Sequence, residues 1–315
     1  MTPHPLPSTM TDMATGQRIN LLDWKAANIR YSWLLAFFTM LLLAGIAYLL
    51  ALAIDPQSAL IFVVIAVVVA VFQSAIAYWY SDRLALMAAG AHQADPEAYR
   101  YLVHVVEAVA IGAGVPRPDI YVIDSPAPNA FATGRNPEHG AIAVTTGLVE
   151  LLDRQELEGV IAHEMSHIRN YDILFSSMLA ATVGAILLLR HLVVRGMRFG
   201  GRGRNRGKGG QLQLLAFVAL VVLLILGPVL ATLLRFAVSR RREYLADATG
   251  AYITRNPEGL ASALEKLQKY SGQKLDVSEG VQHMFFTNPV KRLNAAGLFA
   301  THPPIEDRIS RLRRM

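Results

Sequence analysis

Cysteine is missing from all 315 residues. That excludes disulfide partners and thiolate metal sites, so any zinc would have to be held by imidazole and carboxylate. Charge is also sparse. Asp, Glu, Lys and Arg make up 17% of the chain and hydrophobic residues 53%, whereas soluble domains carry about a quarter charged residues. The balance points to a membrane protein. Acid is the scarcer sign, and the net charge is +6. The excess base flanks apolar segments and fills the C-terminal end, which suits a bilayer surface, so no nucleic-acid partner is expected.

Long apolar runs account for the low charge. Residues 33–54 and 59–80 are each long enough to cross about 30 Å of hydrocarbon as helices. Asp55, Pro56 and Gln57 join them in a turn without positive charge, while Arg18, Lys25, Arg30 and Arg83 lie on the outer flanks. The positive-inside rule puts those flanks in the cytoplasm and the turn outside. The first run is too long and starts too late for a cleaved signal peptide. Two further runs, 173–189 and 212–234, enclose a segment, 195–211, with seven Gly, five Arg, one Lys and no acid. Such a loop cannot pack a core. The two runs are expected to form a hydrophobic hairpin, spanning or only dipping. The expected organisation is therefore an N-terminal cytoplasmic segment (1–32), two transmembrane helices (33–80), a first part of the catalytic domain (81–172), the hairpin (173–234) and a second part of that domain (235–315).

Between the two pairs of runs lies the chemistry. Residues 163–167 read His-Glu-Met-Ser-His. On a helix, positions i and i+4 share a face, so both imidazoles can reach one metal ion, and Glu164 beside them can take a proton from water. A helix is what the context predicts. Asp153 can cap it, Glu156 sits at capping-box spacing, and Leu157, Val160, Ile161 and Met165 recur as an apolar stripe. A catalytic zinc needs a third protein ligand. After the fourth run, Glu243 and Asp247 again stand at i and i+4. Glu243 is the candidate third ligand, and Asp247 would accept a hydrogen bond from a ligand imidazole. The competing reading of the same pair is a solvated helix face paired to Arg240, Arg241 and Arg242. Upstream, Asp119–Ile123, 141–144 and 129–132 read as short strands.

Four blocks taken together resemble the HtpX heat-shock protease family, relatives of the prenyl-protein-processing membrane metalloproteases. They are Asn129-Ala130-Phe131-Ala132-Thr133-Gly134, the 163–167 motif, residues 239–247, and Leu298-Phe299-Ala300-Thr301-His302-Pro303-Pro304. The likeness covers nearly the whole chain from about residue 30. It implies one zinc at His163, His167 and Glu243, with Glu164 as general base. It also implies a strand beside the metal, at Asn129, Ala130 and Phe131, that receives substrate by main-chain bonding with little regard to side chains. His302, held extended by two prolines, is a candidate donor to the oxyanion, or else a structural stop before a helix at 305–313.

The expected fold is thus a mainly α integral membrane protein with a zincin-like (gluzincin) catalytic domain, a small β-sheet and an active-site helix carrying the motif. The expected activity is zinc-dependent endopeptidase cleavage of misfolded membrane proteins at the inner (cytoplasmic) membrane, facing the cytoplasm. A processing peptidase with one defined substrate, and a zinc-containing scaffold or holdase that cuts nothing, are the rivals. An intact Glu164 argues against the last.

Overall fold

The computed structural model describes residues 9–11, 18–54, 57, 59–183, 240–270, 277, 281, 284–286 and 303–315. The hairpin beyond residue 183, its Gly/Arg-rich loop and His302 lie outside the described residues.

A two-stranded ribbon, β1 (Thr9–Thr11) with β2 (Arg18–Asn20), leads into α1 (Leu21–Ile54). This helix begins well before the apolar run that hydropathy marks at Trp33. Helix α2 (Ala59–Ala88) runs back along α1, with Trp33 stacked on Tyr78 at 5.5 Å between centroids. Large apolar side chains stay exposed on both, among them Phe37, Phe38, Leu41, Ile61, Phe72 and Trp79. Among the described residues, one helix is long and apolar enough to cross a membrane, Val63–Ala88.

The inner end of α2 packs through Ala85, Leu86 and Ala89 onto one face of a four-stranded sheet. Its strands are β3 (His92–Gln93), β4 (Asp119–Ile123), β5 (Ala130–Gly134) and β6 (Gly140–Thr145), in the order β3-β4-β6-β5. β4 and β6 are parallel, and the other two pairings antiparallel. β4 and β6 fall where β-branched content predicts strands, and β5 overlaps the strand expected at 129–132 but is shifted toward Gly134. β5 is left at one edge.

The opposite face carries the main core. α3 (Arg100–Ala113) and, after the short α4 (Thr146–Leu151), α5 (Arg154–Arg169) pack there. α5 starts on a complete capping box. Asp153 accepts from the amides of Gln155 and Glu156, and the Glu156 carboxylate accepts from the Asp153 amide at 2.9 Å, which satisfies orphan donors of the first turn. Its Leu157, Val160, Ile161 and Met165 are fully buried. α6 (Asp172–Val183) follows directly. α7 (Arg240–Thr254) and α8 (Pro257–Lys269) lie across α5, and α9 (Ile305–Leu312) closes over α7 and α8. Two glycines permit these crossings. A Cβ on Gly159 would come within 2.7 Å of the Leu260 amide nitrogen, and one on Gly250 within 3.0 Å of the His163 nitrogen. α7 therefore meets α5 backbone to backbone at the first histidine of the motif.

Candidate metal centre

Three ligand atoms converge where α5 and α7 cross. His163 Nε2 and His167 Nε2 are 3.2 Å apart, and the Glu243 carboxylate lies 3.8 Å from each. The i, i+4 spacing stacks the two rings on one face of α5, and Gly250 brings α7 close enough for Glu243 to complete the triangle. Two donors each about 2.0–2.1 Å from a tetrahedral ion stand about 3.3 Å apart. Among the described residues these three form a group that can hold a metal ion. His163 and Glu243 are buried, while the His167 side chain is 14% exposed and gives the site its opening.

The remaining imidazole nitrogens are held from behind. His163 Nδ1 lies 2.9 Å from Asp247 Oδ1, and His167 Nδ1 2.9 Å from Asp172 Oδ2. A carboxylate at Nδ1 keeps the proton there and leaves Nε2 as an open lone pair, so both lone pairs face the same point. Asp247 sits on α7 one turn beyond Glu243, and Asp172 heads α6. Behind Asp247 lies Arg308 of α9, fully buried, donating from Nε to Oδ2 at 2.8 Å and from Nη2 to Oδ1 at 2.6 Å. Such a bidentate pair fixes orientation as well as charge. α9 is docked on α7 again where the Tyr244 hydroxyl donates to Asp307.

Buried charge sets the electrostatics. Glu164, Glu243, Asp172 and Asp247 bring four carboxylates, while Arg242 and Arg308 bring two guanidinium groups. Counted as groups, the carboxylates around the site outnumber the guanidinium groups by two. Burial pushes His163 down to about 4, with the Asp247 hydrogen bond opposing it and Arg308 adding to the fall. At His167 burial also works downward, but the hydrogen bond and charge of Asp172, with Glu243 and Glu164, outweigh it and raise the group to about 9. Burial raises Glu164 to about 7, against the pull of His167 and a hydrogen bond to the Ala132 backbone, and with the push of Glu243. Burial would raise Asp247, yet Arg308 and His163 hold it below the usual carboxylate range.

The edge strand β5 borders Glu164. Thr145 donates to the Asn129 carbonyl at 2.9 Å, so by alternation Ala130 and Ala132 turn their backbone groups away from β6. The Ala130 carbonyl accepts from Phe286 at 2.8 Å, whereas Ala132 faces Glu164. The side chains of Asn129 and Phe131 are buried; Asn129 Oδ1 accepts from the Ala130 amide, and Phe131 packs on Phe285 at 4.8 Å. The backbone groups of Asn129 and Phe131 face β6, so what this strand offers a ligand is the outward backbone of Ala130 and Ala132. Phe286 also stands edge-on to the His163 ring at 4.9 Å, with Arg308 over its face.

Sequence reasoning brought together His163, Glu164, His167, Glu243 and Asp247 but missed Asp172 and Arg308. Asp172 had a faint signal, an acid just past the helix end. Arg308 had none, being one arginine among several in a C-terminal helix.

Two imidazoles from an H-E-x-x-H helix and a carboxylate from α7, with a further carboxylate behind each histidine, form the donor set expected of a metallopeptidase. The model of peptidase family M48 matches residues 96–315. A protein named "Protease HtpX homolog" from Caldanaerobacter subterraneus subsp. tengcongensis is 45% identical over 295 residues, 93% of this chain and 97% of that one. A namesake from Thermoanaerobacter pseudethanolicus is 43% identical over 297 residues, covering 94% and 98%. The crystal structure of S. mikatae Ste24p matches with a TM-score of 0.47 at 19% identity, over 90% of this chain and 66% of that one. The chain belongs to peptidase family M48, among its HtpX proteases, and is a metalloprotease.

Proposed function

We propose that the chain is a membrane-bound zinc endopeptidase with His163, His167 and Glu243 as metal ligands and Glu164 as the base. The convergence of three ligand atoms, with both imidazoles oriented from behind, carries this reading. Two nitrogens and one carboxylate without thiolate are a catalytic zinc donor set, and the surplus of buried carboxylate suits a divalent ion. Zinc there supplies Lewis acidity toward the scissile carbonyl and lowers the pKa of water, from about 15.7 to about 7 in the best-studied enzymes.

The chain's own residues do the rest. Glu164 takes a proton from the attacking water and delivers it to the leaving amine, acting first as general base and then as general acid. Asp247 and Asp172 hold the ligand imidazoles in place, and Arg308 keeps Asp247 ionised. Substrate adds as a strand along β5, over Asn129, Ala130 and Phe131 to Ala132, and bonds to the outward backbone groups of Ala130 and Ala132. Engagement of the Ala130 carbonyl requires Phe286 to give way. Main-chain recognition of this kind suits unfolded polypeptides of many sequences. The exposed apolar surfaces of α1 and α2 support a seat in the lipid bilayer, and the charge pattern supports a catalytic side facing the cytoplasm at the inner membrane. Misfolded membrane proteins are the proposed substrates.

The test uses the purified full-length chain in detergent. Casein should be digested, a chelator should stop it and zinc restore it, and Glu243→Ala should lose stoichiometric zinc. Digestion indifferent to chelation, or a Glu243→Ala protein that keeps its zinc, would overturn the reading.

A further inference from the structure

We propose that Asn28, on the first turns of α1, is a positioning residue of the metal centre, acting through Asp172 on His167. This rests on the reading of His163, His167 and Glu243 as the metal site. The apolar helix is then part of the catalytic machinery and not only a tether.

Asp172 is the link. Its Oδ2 faces His167 Nδ1 at 2.9 Å, and its Oδ1 accepts from Asn28 Nδ2 at 2.6 Å and from Trp24 Nε1 at 3.3 Å, with Arg242 Nε 3.2 Å away. With both oxygens engaged, the carboxylate cannot rotate away from the imidazole. The same Asn28 nitrogen spends its second hydrogen on the Asn170 carbonyl at 2.9 Å. One amide thus spans both sides of the turn joining α5 to α6. That turn is strained, because Tyr171 adopts φ 60, a left-handed conformation that is unfavourable for a residue with a Cβ. Lys25 lies over the Tyr171 ring at 4.2 Å, so α1 clasps the turn at three of its residues, 170, 171 and 172.

The pattern along α1 supports the assignment. Leu21, Trp24, Asn28, Ser32 and Leu35 recur at three- and four-residue spacing on one face. Leu21 packs with Leu245, and Leu35 joins a cluster with Leu174, Phe175 and Leu179. Between these apolar anchors Asn28 is buried, where packing alone would favour a hydrocarbon. A buried amide whose two donors both reach the turn beside a metal ligand is accounted for by those bonds.

The experiment uses the full-length protein in detergent, with zinc affinity read by competition against a chelator and kcat and KM read separately on casein. Asn28→Leu should weaken zinc binding by about 10–100-fold, the range for removing an outer partner of a ligand, and should lower kcat with little change in KM. Asn28→Asp, matched in size but presenting an acceptor to Asp172, should do the same, and serves if the leucine variant fails to fold. Combined with Asp172→Asn, Asn28→Leu should add nothing further, because both break one connection. Leu35→Ala, which loosens α1 without touching Asp172, should lower thermal stability but hold zinc affinity within about threefold. Zinc affinity unchanged in both Asn28 variants, an additive double variant, or an equal loss in Leu35→Ala would each overturn the proposal. If Glu243→Ala also keeps wild-type affinity, the metal-site reading itself fails. If Glu243→Ala strips zinc and the Asn28 variants do not, this inference alone fails.

Discussion

Replacing Gly250 by alanine separates the geometry of the metal site from the stability of the fold. A Cβ there would stand 3.0 Å from the His163 nitrogen, 3.2 Å from the Ala162 carbonyl carbon and 3.3 Å from the His163 Cα. All three neighbours are α5 backbone, so no side chain can swing aside, and relief requires α7 to move out by a few tenths of an ångström. Asp247 and Glu243 lie one and two turns back on the same helix and move with it. A misplacement of about 1 Å in a catalytic constellation costs up to about 10²-fold, so a shift of a few tenths of an ångström should lower kcat/KM at saturating zinc about 3–10-fold. Stability should change less. Overpacking costs about 1–3 kcal/mol, and alanine returns about 1 kcal/mol of helix propensity. The net loss is about 0–2 kcal/mol, read as a thermal midpoint lowered by a few degrees. Gly159→Ala is the comparison. Its Cβ would lie 2.7 Å from the Leu260 nitrogen, a worse clash that α8, which carries none of the site residues, relieves by moving outward. It should cost more stability and less activity. Activity retained within about twofold in Gly250→Ala, with the greater loss in Gly159→Ala, would refute the reasoning.

Two other predictions concern charge. Arg308→Leu should destabilise the protein by about 3–5 kcal/mol in chemical denaturation, because Asp247 is left buried and unpaired, and adding Asp247→Asn should recover part of the loss. A single variant as stable as wild type would contradict the buried pair. A lone cysteine at Gln57 should label with an impermeant thiol reagent from outside the cell, whereas one at Ala98 should label only after permeabilisation. The reverse pattern would move the catalytic side out of the cytoplasm.

The parts of the site visible from sequence were those whose partners lie within a turn or two. The His163–His167 and Glu243–Asp247 pairs are both i, i+4, and the capping box from Asp153 to Glu156 is local as well. Their meeting was legible only through the need for a third ligand and a family likeness, since nothing short of the fold shows that α7 crosses α5 at Gly250. Arg308 looks like Arg311 and Arg313 in sequence, yet it alone is buried, because α9 turns that face onto Asp247. Asn28 fell in a stretch read as a cytoplasmic flank. Hydropathy rises at Trp33, but the helix starts at Leu21, since polar residues such as Asp23 and Lys25 lower hydropathy without ending a helix. The strands β4 and β6 were placed within a residue or so, while β5 was expected at 129–132 and spans Ala130–Gly134, its end at Gly134 having no side chain to mark it.

The central claim, a metal-dependent cleavage in which Glu164 moves the proton, is tested most directly by Glu164→Gln. Glutamine keeps the shape of the side chain and removes its basicity, while His163, His167 and Glu243 are untouched. The variant should hold about one zinc per chain, as in wild type, with casein hydrolysis lower by at least about 10²–10⁴-fold. Near-normal hydrolysis by a zinc-loaded Glu164→Gln protein would contradict it.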